Sequence, residues 1–431
     1  MQQTLVIDGI RCFRDKQQIP IKPVTLLVGE NSAGKSTVLA MLRAAWDVDN
    51  IAEPDFNEEP FNLGSYNTIA HYHGGQGKRA QEFHIGSKAI GGTKKDIWLR
   101  RIEGTFKEEA GQPALTKWTL SDSDFELDVE WKQQGKDVAS VVGRMNGAVF
   151  AQTDELVIPR RRRTGHAFLG LERMFFGARP GESPTVWVNL MNTLSRALRR
   201  TRTHSRPIAS APVRSRPERT YDPRRDVREP EGSHVPMTLA TLFVSDPARF
   251  DRVAKSIAEY GAAAGLFSKL DVKQLGRVGD PFQLAVTVDK YPFNVTDVGY
   301  GVSQVLPILF ETLASEEKQT FLLQQPEVHL HPKAQAALGS LVAAQAAERL
   351  HTFVIETHSD YLVDRVRTDV RTKKGPNPLS HNDVVILYFE RKAGRATIHP
   401  IYLDEEANLV DVPAGYRQFF IDEERRLLGI E

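Results

Sequence analysis

The chain has 431 residues, enough for two or three lobes around substantial cores, and it sets 56 Lys and Arg against 55 Asp and Glu. That balance excludes a polyanion held by global charge, so any such contact must rest on local clusters. The single cysteine, Cys12, excludes internal disulfides and thiolate metal cages, and there is no apolar run of about 18 residues and no charged-then-apolar leader. A soluble cytoplasmic chain with no membrane span is expected.

Residues 4–10 and 18–29 read as strands around a polar turn at Asp15-Lys16, opening a sheet whose last strand delivers a loop. That last stretch is Val24-Thr-Leu-Leu-Val-Gly29-Glu-Asn-Ser-Ala-Gly34-Lys35-Ser36-Thr37, a buried strand, a glycine-bounded loop and a helix start. It matches the phosphate-loop pattern G-x-x-x-x-G-K-[ST]. Gly29 and Gly34 let successive N–H groups turn inward on phosphate oxygens, and the helix N-terminus adds partial positive charge there. Lys35 then reaches the β- and γ-phosphates, the Ser36 hydroxyl serves Mg²⁺, and Thr37 bonds near the α-phosphate. The implied ligand is a nucleoside triphosphate. Phe13, in the turn before the loop, either stacks on a base or packs the hairpin.

From about 50 to 80 the pattern loosens, and His71-Tyr-His73 reads as a solvated loop in preference to a metal pair, since a third ligand is not at hand. Residues 96–151 read as antiparallel strands. Phe125-Glu-Leu-Asp-Val-Glu-Trp131 alternates strictly, with one face buried and one wet, and turns are expected at Gln133–Lys136 and Met145–Gly147.

The stretch 160–230 differs. Arg160–Arg163 is a run of four, and 184–200 suits a helix with Leu190, Leu194 and Leu198 on one face and Arg196, Arg199 and Arg200 elsewhere. Between 196 and 228 there are 11 Arg against Glu218, Asp222 and Asp226, a local net of +8 (11 − 3), and proline at 207, 212, 217 and 223 makes 208–226 an extended loop. The readings are a solvated face, a phosphate-facing loop, a nucleic-acid track, or a dock for an acidic partner.

Helix returns at 247–270 and strand at Phe282–Val288. A second Gly-rich turn, Asp297-Val-Gly299-Tyr-Gly301-Val-Ser303-Gln304, runs into a helix, whose N-terminus is another anion site by the same logic. Thr320–Gln324 and Thr352–Glu356 are buried strands, the first leading to Gln325-Pro326-Glu327-Val-His329-Leu-His331-Pro332 and the second to Thr357-His358-Ser359-Asp360. Helices follow each, and a last strand, Val384–Phe389, and a hairpin near Gly394 precede a charged tail.

This order resembles the head of the ATP-binding-cassette (ABC) ATPases, most closely their soluble OLD-like branch related to the Rad50 and RecF heads. Gly29–Thr37, Asp297–Pro307, Gln324–Pro332 and Glu356–Asp360 carry the resemblance, and the hairpin at 4–23 and the Ile208–Tyr221 stretch look similar too. The resemblance implies an α/β fold, an ABC-type P-loop ATPase head. Its core would be 1–49 and 280–431, with an inserted antiparallel β lobe at 50–159 and a helical, Arg-rich lobe at 160–279. It implies ATP on Asn31, Gly34, Lys35, Ser36 and Thr37, and Mg²⁺ on Ser36 and Gln324. Gly301, Ser303 and Gln304 match the signature segment that binds the γ-phosphate of ATP held by another subunit, 268 residues (303 − 35) after Lys35. Leu330-His331 matches the D-loop and His358 the switch histidine, while the Q-loop falls best in Asn67–His71.

The departure lies at Gln324-Gln325, the Walker B pair, where such proteins carry Asp and Glu. A glutamine can hold a water but cannot take its proton. Three explanations stand side by side: slow hydrolysis in an ATP-dependent clamp, Glu327 or His358 as base in place of Gln325, or a glutamine introduced to trap the ATP state. Neither a long heptad arm nor a nuclease module is found. Relatives built this way look like the ATPase subunits of antiphage systems such as PARIS, Septu and some retrons. The expected partners are a second copy, as a head-to-tail dimer or larger ring, and a separately encoded nuclease- or toxin-like effector. A DNA-engaging repair-type ATPase is the alternative, and a nuclease in its own right the weakest reading, for want of a carboxylate cluster.

Overall fold

The computed structural model describes residues 2–75, 78–93, 96–123, 125–131, 138–157, 205–223, 227–277, 279–348, 351–392 and 394–430. The expected turn at Gln133–Lys136, the run Arg160–Arg163 and the expected helix over 184–200 lie outside the described residues.

The chain opens with strands β1 (Gln2–Asp8), β2 (Gln17–Ile21) and β3 (Val24–Gly29), then helix α1 (Lys35–Asp49) and the short α2 (Tyr66–Ile69). Strands β4 (Glu82–Thr93), β5 (Asp96–Glu109), β6 (Gln112–Asp122), β7 (Phe125–Trp131), β8 (Val138–Met145) and β9 (Ala148–Val157) follow. The first three strands do not share a sheet, contrary to expectation. β1 pairs antiparallel with both β2 and β4, with Leu5 opposite Ile19 and Ser87, in the order β2-β1-β4-β5-β6-β7-β8-β9. β3, whose first four residues are all buried, belongs to a second sheet, where it runs parallel to β15. An unbroken apolar run suits a strand covered on both faces, and a break at Lys22-Pro23 lets the chain change sheets.

By internal contacts the chain divides into two compact units: 1–21, 30–207 and 389–400, and 22–29, 208–388 and 401–431. The division falls on either side of β3.

In the first unit the antiparallel sheet buries one face, as the alternation of β7 requires: Phe125, Leu127, Val129 and Trp131 are buried and Glu130 is exposed. Helix α1 covers that face. The indole N–H of fully buried Trp118 donates to the Val48 carbonyl (2.8 Å), and Phe83 stacks on Phe106 with centroids 5.1 Å apart. Phe13 is fully buried, edge-on to Phe389, so it packs the hairpin and does not present a face to a base. His71 is buried with Nδ1 2.6 Å from the Arg11 carbonyl, not solvated as expected, because the loop folds back on the 9–13 turn. Asp49 closes α1, accepting a hydrogen bond from Ser87 (2.6 Å), and burial pushes its carboxyl up to about 6. A folded pKa above the unfolded value adds stability below about pH 4 that is lost as pH rises through about 6. Asp49→Asn should therefore raise stability at pH 8 by about 3 kcal/mol and leave it near unchanged at pH 4. Urea unfolding at the two pH values checks this.

The second unit holds β10 (Ile208–Ser210), α3 (Val235–Ser245), α4 (Pro247–Ala264), β11 (Lys269–Gln274), β12 (Phe282–Val288) and β13 (Tyr291–Asn294). Then come α5 (Tyr300–Ala314), β14 (Thr320–Gln324), α6 (Pro332–Glu348), β15 (Thr352–Glu356) and α7 (Asp360–Arg371). The chain ends with β16 (Val384–Lys392), β17 (Arg395–Leu403), β18 (Leu409–Val410) and α8 (Gln418–Leu427). The sheet order is β10-β14-β15-β3-β16-β17-β18, parallel from β10 to β3. Leu26, Phe321, Leu323, Phe353 and Ile355 form its core with α5, α6 and α7.

Candidate functional site

The phosphate loop leaves β3 at Gly29, whose φ of 131° only glycine tolerates well, and passes through Ser32 (φ 58°) and Gly34 (φ 100°). A side chain at Gly34 would also strike the Phe13 ring at 2.6 Å and the Cys12 sulfur at 2.7 Å, so two independent constraints demand glycine there. Helix α1 begins at Lys35 with no side-chain cap and no acidic residue in its first turn, so no carboxylate of that turn opposes an anion at its positive end. Lys35 is 3 % exposed, and its ammonium donates to the Glu30 carbonyl across the loop (2.7 Å). Asn31 and Ser36 are exposed, and Thr37 is buried.

In the second unit the parallel strands end in register: Gln324 of β14 lies beside Glu356 of β15, and Glu356 beside Leu27 of β3. The C-terminal edge of such a sheet is where α/β proteins place ligands. Beyond β14 the chain turns through Gln325, held at φ 42° with its N–H on the Glu356 carbonyl (2.8 Å). Glu327 folds underneath. Its Oε1 accepts the His358 N–H (2.7 Å), and burial pushes its carboxyl above the ordinary glutamate range against the pull of His358, Thr357 and Arg214. The structure thus brings Gln324, Gln325, Glu327 and His358 together, with Gln324 and Glu327 buried, Gln325 half-buried and His358 exposed. Glu327 serves as a clamp between two loops, a poor posture for a free general base.

The first turn of α5 departs from expectation in its facing. Ser303 is 7 % exposed with its hydroxyl on the Tyr300 carbonyl (2.8 Å), and Gln304 is 1 % exposed with its side-chain oxygen accepting the Arg214 N–H (3.3 Å). Both point inward, because Val302, Ser303 and Gln304 lie on the buried side of the helix start. The accessible side is Gly299, Tyr300 and Gly301, which with Phe293, His329 and His331 line an open cleft of about 600 Å³. A Cβ at Gly301 would meet the His329 carbonyl at 2.8 Å, so that glycine lets α5 sit against the turn after β14.

Of the Arg-rich stretch, the described members are largely engaged. Arg206 forks onto Asp47 and Glu58, Arg219 pairs with Asp297, and Arg228 with Glu311. Arg214 is 2 % exposed and donates to the carbonyls of Gln324 (3.2 Å) and Gln325 (3.4 Å). A phosphate-facing loop carrying Arg214, Arg216 and Arg219 was one reading of this stretch, and it did not foresee these partners. The one available signal was an arginine inside a proline-punctuated run just past a short apolar strand. Among the described residues no group of three or more His, Cys, Asp or Glu is set to hold a metal ion, and no helix is long and apolar enough to cross a membrane.

Two family models match the chain: one described as "AAA domain" over residues 4–156, and one described as "AAA domain, putative AbiEii toxin, Type IV TA system" over residues 196–364. Comparison with curated proteins finds no match. Among solved structures, the chain is similar to an SMC head bound to the C-winged helix domain of ScpA, at 9 % identity over 93 % of this chain and 98 % of that one, with a TM-score of 0.48. It is also similar to the SMC head domain from Thermotoga maritima, at 11 % identity over 93 % and 99 % with a TM-score of 0.36. A third is an SMC head with an extended coiled coil derived from Pyrococcus furiosus, at 9 % over 99 % and 100 % with a TM-score of 0.43.

Proposed function

We propose that this mixed α/β P-loop ATPase is of ABC type and works as a slowly hydrolysing, nucleotide-gated clamp that controls a separate effector protein. The observation that carries the reading is the edge of the parallel sheet. There the exit of β3 into the phosphate loop, the Gln324-Gln325 turn and the His358 loop share one side, and amides stand where a catalytic carboxylate is needed. In such a site neither Gln324 nor Gln325 can take a proton from the attacking water, so a bound nucleoside triphosphate is destroyed slowly.

In this reading Asn31, Gly34, Lys35, Ser36 and Thr37 hold the phosphates, and His358 contacts the γ-phosphate. Ser36 and the Gln324 amide oxygen would be the oxygen donors for Mg²⁺. A donor set without a Walker B carboxylate fits an ion carried mainly by the phosphates and water. When bound, Mg²⁺ neutralises charge between the β- and γ-phosphates. The N-terminus of α5, through Gly299–Gly301, faces the nucleotide of a second copy in a head-to-tail pair.

The description of the second matched family, which names a toxin of a type IV system, supports an effector-linked defence role. The alternative, a DNA-engaging repair-type ATPase, draws on arginines of which Arg206, Arg219 and Arg228 are already on carboxylates.

The test of pairing is Gly299→Arg. The residue has φ −56°, open to any side chain, and a Cβ there meets nothing within 4 Å, so the monomer keeps its fold. Buried Ser303 is a poorer probe, since a large side chain there would disturb packing. ATP-dependent association, read by sedimentation velocity, should disappear in Gly299→Arg while ATP affinity changes less than about threefold. Undiminished pairing in the variant refutes the assignment of this turn.

A further inference from the structure

We infer that Arg214 is a positioning residue that ties the first turn of α5 to the turn after β14, so that engagement of one is transmitted to the other. The inference rests on reading these two turns as nucleotide-facing. Strand β10 runs parallel to β14 with Ser210 opposite Leu323, which carries Arg214, four residues on, past the C-terminal end of β14. There it bridges two elements with one residue. Its main-chain N–H donates to the Gln304 side chain of α5 (3.3 Å), and its Nη2 donates to the Gln324 and Gln325 carbonyls (3.2 and 3.4 Å).

Packing does not account for an arginine here. It is 2 % exposed, its Nε and Nη1 have no hydrogen-bond partner, and burial lowers its pKa to about 10. Methionine would fill the volume without burying a cation and unmet donors. What the guanidinium supplies is a grip on Gln325, a non-glycine residue at φ 42°, a conformation that persists only where surroundings hold it. Its N–H is held by the Glu356 carbonyl, and its own carbonyl accepts from the Val328 N–H (3.2 Å) and from Arg214 (3.4 Å), the one hold of the three that comes from β10's continuation. The same cation helps keep buried Glu327 ionised, and Glu327 in turn holds the His358 N–H. Movement of α5 through Gln304 therefore displaces the backbone of Arg214, and with it the turn that carries the catalytic positions.

Hydrogen–deuterium exchange on the full chain, with and without ATP, tests this in the unaltered protein, Arg214→Met, Arg214→Lys and Lys35→Ala. In the unaltered protein ATP should slow exchange at 300–306 and 324–330 about tenfold, and in Arg214→Met the effect at 324–330 should fall below about twofold while 300–306 keeps it. Arg214→Lys, which retains charge and a donor, should fall between the two, and it serves alone if the methionine variant does not fold. Retention of the ATP effect at 324–330 in Arg214→Met overturns the inference. So does faster exchange there by the same factor with and without ATP, the mark of packing alone. If ATP slows neither segment in the unaltered protein, the nucleotide reading fails as a whole. A response that persists in Lys35→Ala instead removes the phosphate loop as its source.

Discussion

Gln325→Glu should raise ATP turnover by roughly 10²–10⁴-fold, the range a well-placed general base contributes. The geometry favours position 325 over its neighbours. Glu327 is buried beneath the turn with one oxygen on the His358 N–H. Swinging it toward solvent would release the loop that carries His358. Gln325 is half-buried, and its main chain is pinned through the Glu356 carbonyl and Arg214, so a carboxylate introduced there arrives in a fixed place. The pH dependence separates the alternatives. A Glu327 base, its pKa raised by burial, is active only when ionised, so the rate would climb with pH above the ordinary glutamate range. A protein without a base has no such limb until position 325 is changed. Brisk turnover before any change, abolished by Glu327→Gln, would give Glu327 the role. Single-turnover phosphate release measures all three.

Lys35→Ala should weaken ATP binding by about 10²–10⁴-fold, since charge-assisted hydrogen bonds to phosphate contribute about 1.5–3 kcal/mol each and the lysine would make two. Burial of Lys35 and its bond to the Glu30 carbonyl mean that the ammonium already sits across the loop. The side chain has little ordering left to do on binding, so most of its interaction appears as affinity. Isothermal titration of ATP against the variant checks this. An affinity within about threefold of the unaltered protein would mean that the loop does not hold phosphate.

The phosphate loop was legible because its residues are dictated by chemistry that is local in sequence. β3, β14 and β15 were legible because strands covered on both faces need unbroken apolar runs, and β7 because one wet face needs alternation. Partners were not. Nothing within Thr4–Ile10 says that β1 pairs with β4, some 80 residues on, because register is a long-range property. β4 itself, with Gly86, Gly91 and Gly92, was not singled out as a strand. A Cβ at Gly86 would lie 2.2 Å from the Ile102 carbonyl, so that glycine serves close strand packing. Orientation was illegible too. A Gly-Val-Ser-Gln helix start does not tell which side faces inward, and here Ser303 and Gln304 are the packed side. Nor does a count of arginines reveal partners: the +8 net of 196–228 is met in part by Asp47, Glu58, Asp297 and Glu311, all outside that window and the first two more than 100 residues before it.

The central claim is that ATP, held by the phosphate loop and hydrolysed slowly, drives two copies together. Sedimentation velocity of the unaltered protein with and without ATP tests it most directly. The account predicts a doubling of mass on ATP addition, with one ATP per chain, that outlasts mixing by many minutes and is missing in Lys35→Ala. A chain that binds ATP with full stoichiometry yet keeps the same mass across the accessible concentration range would contradict it.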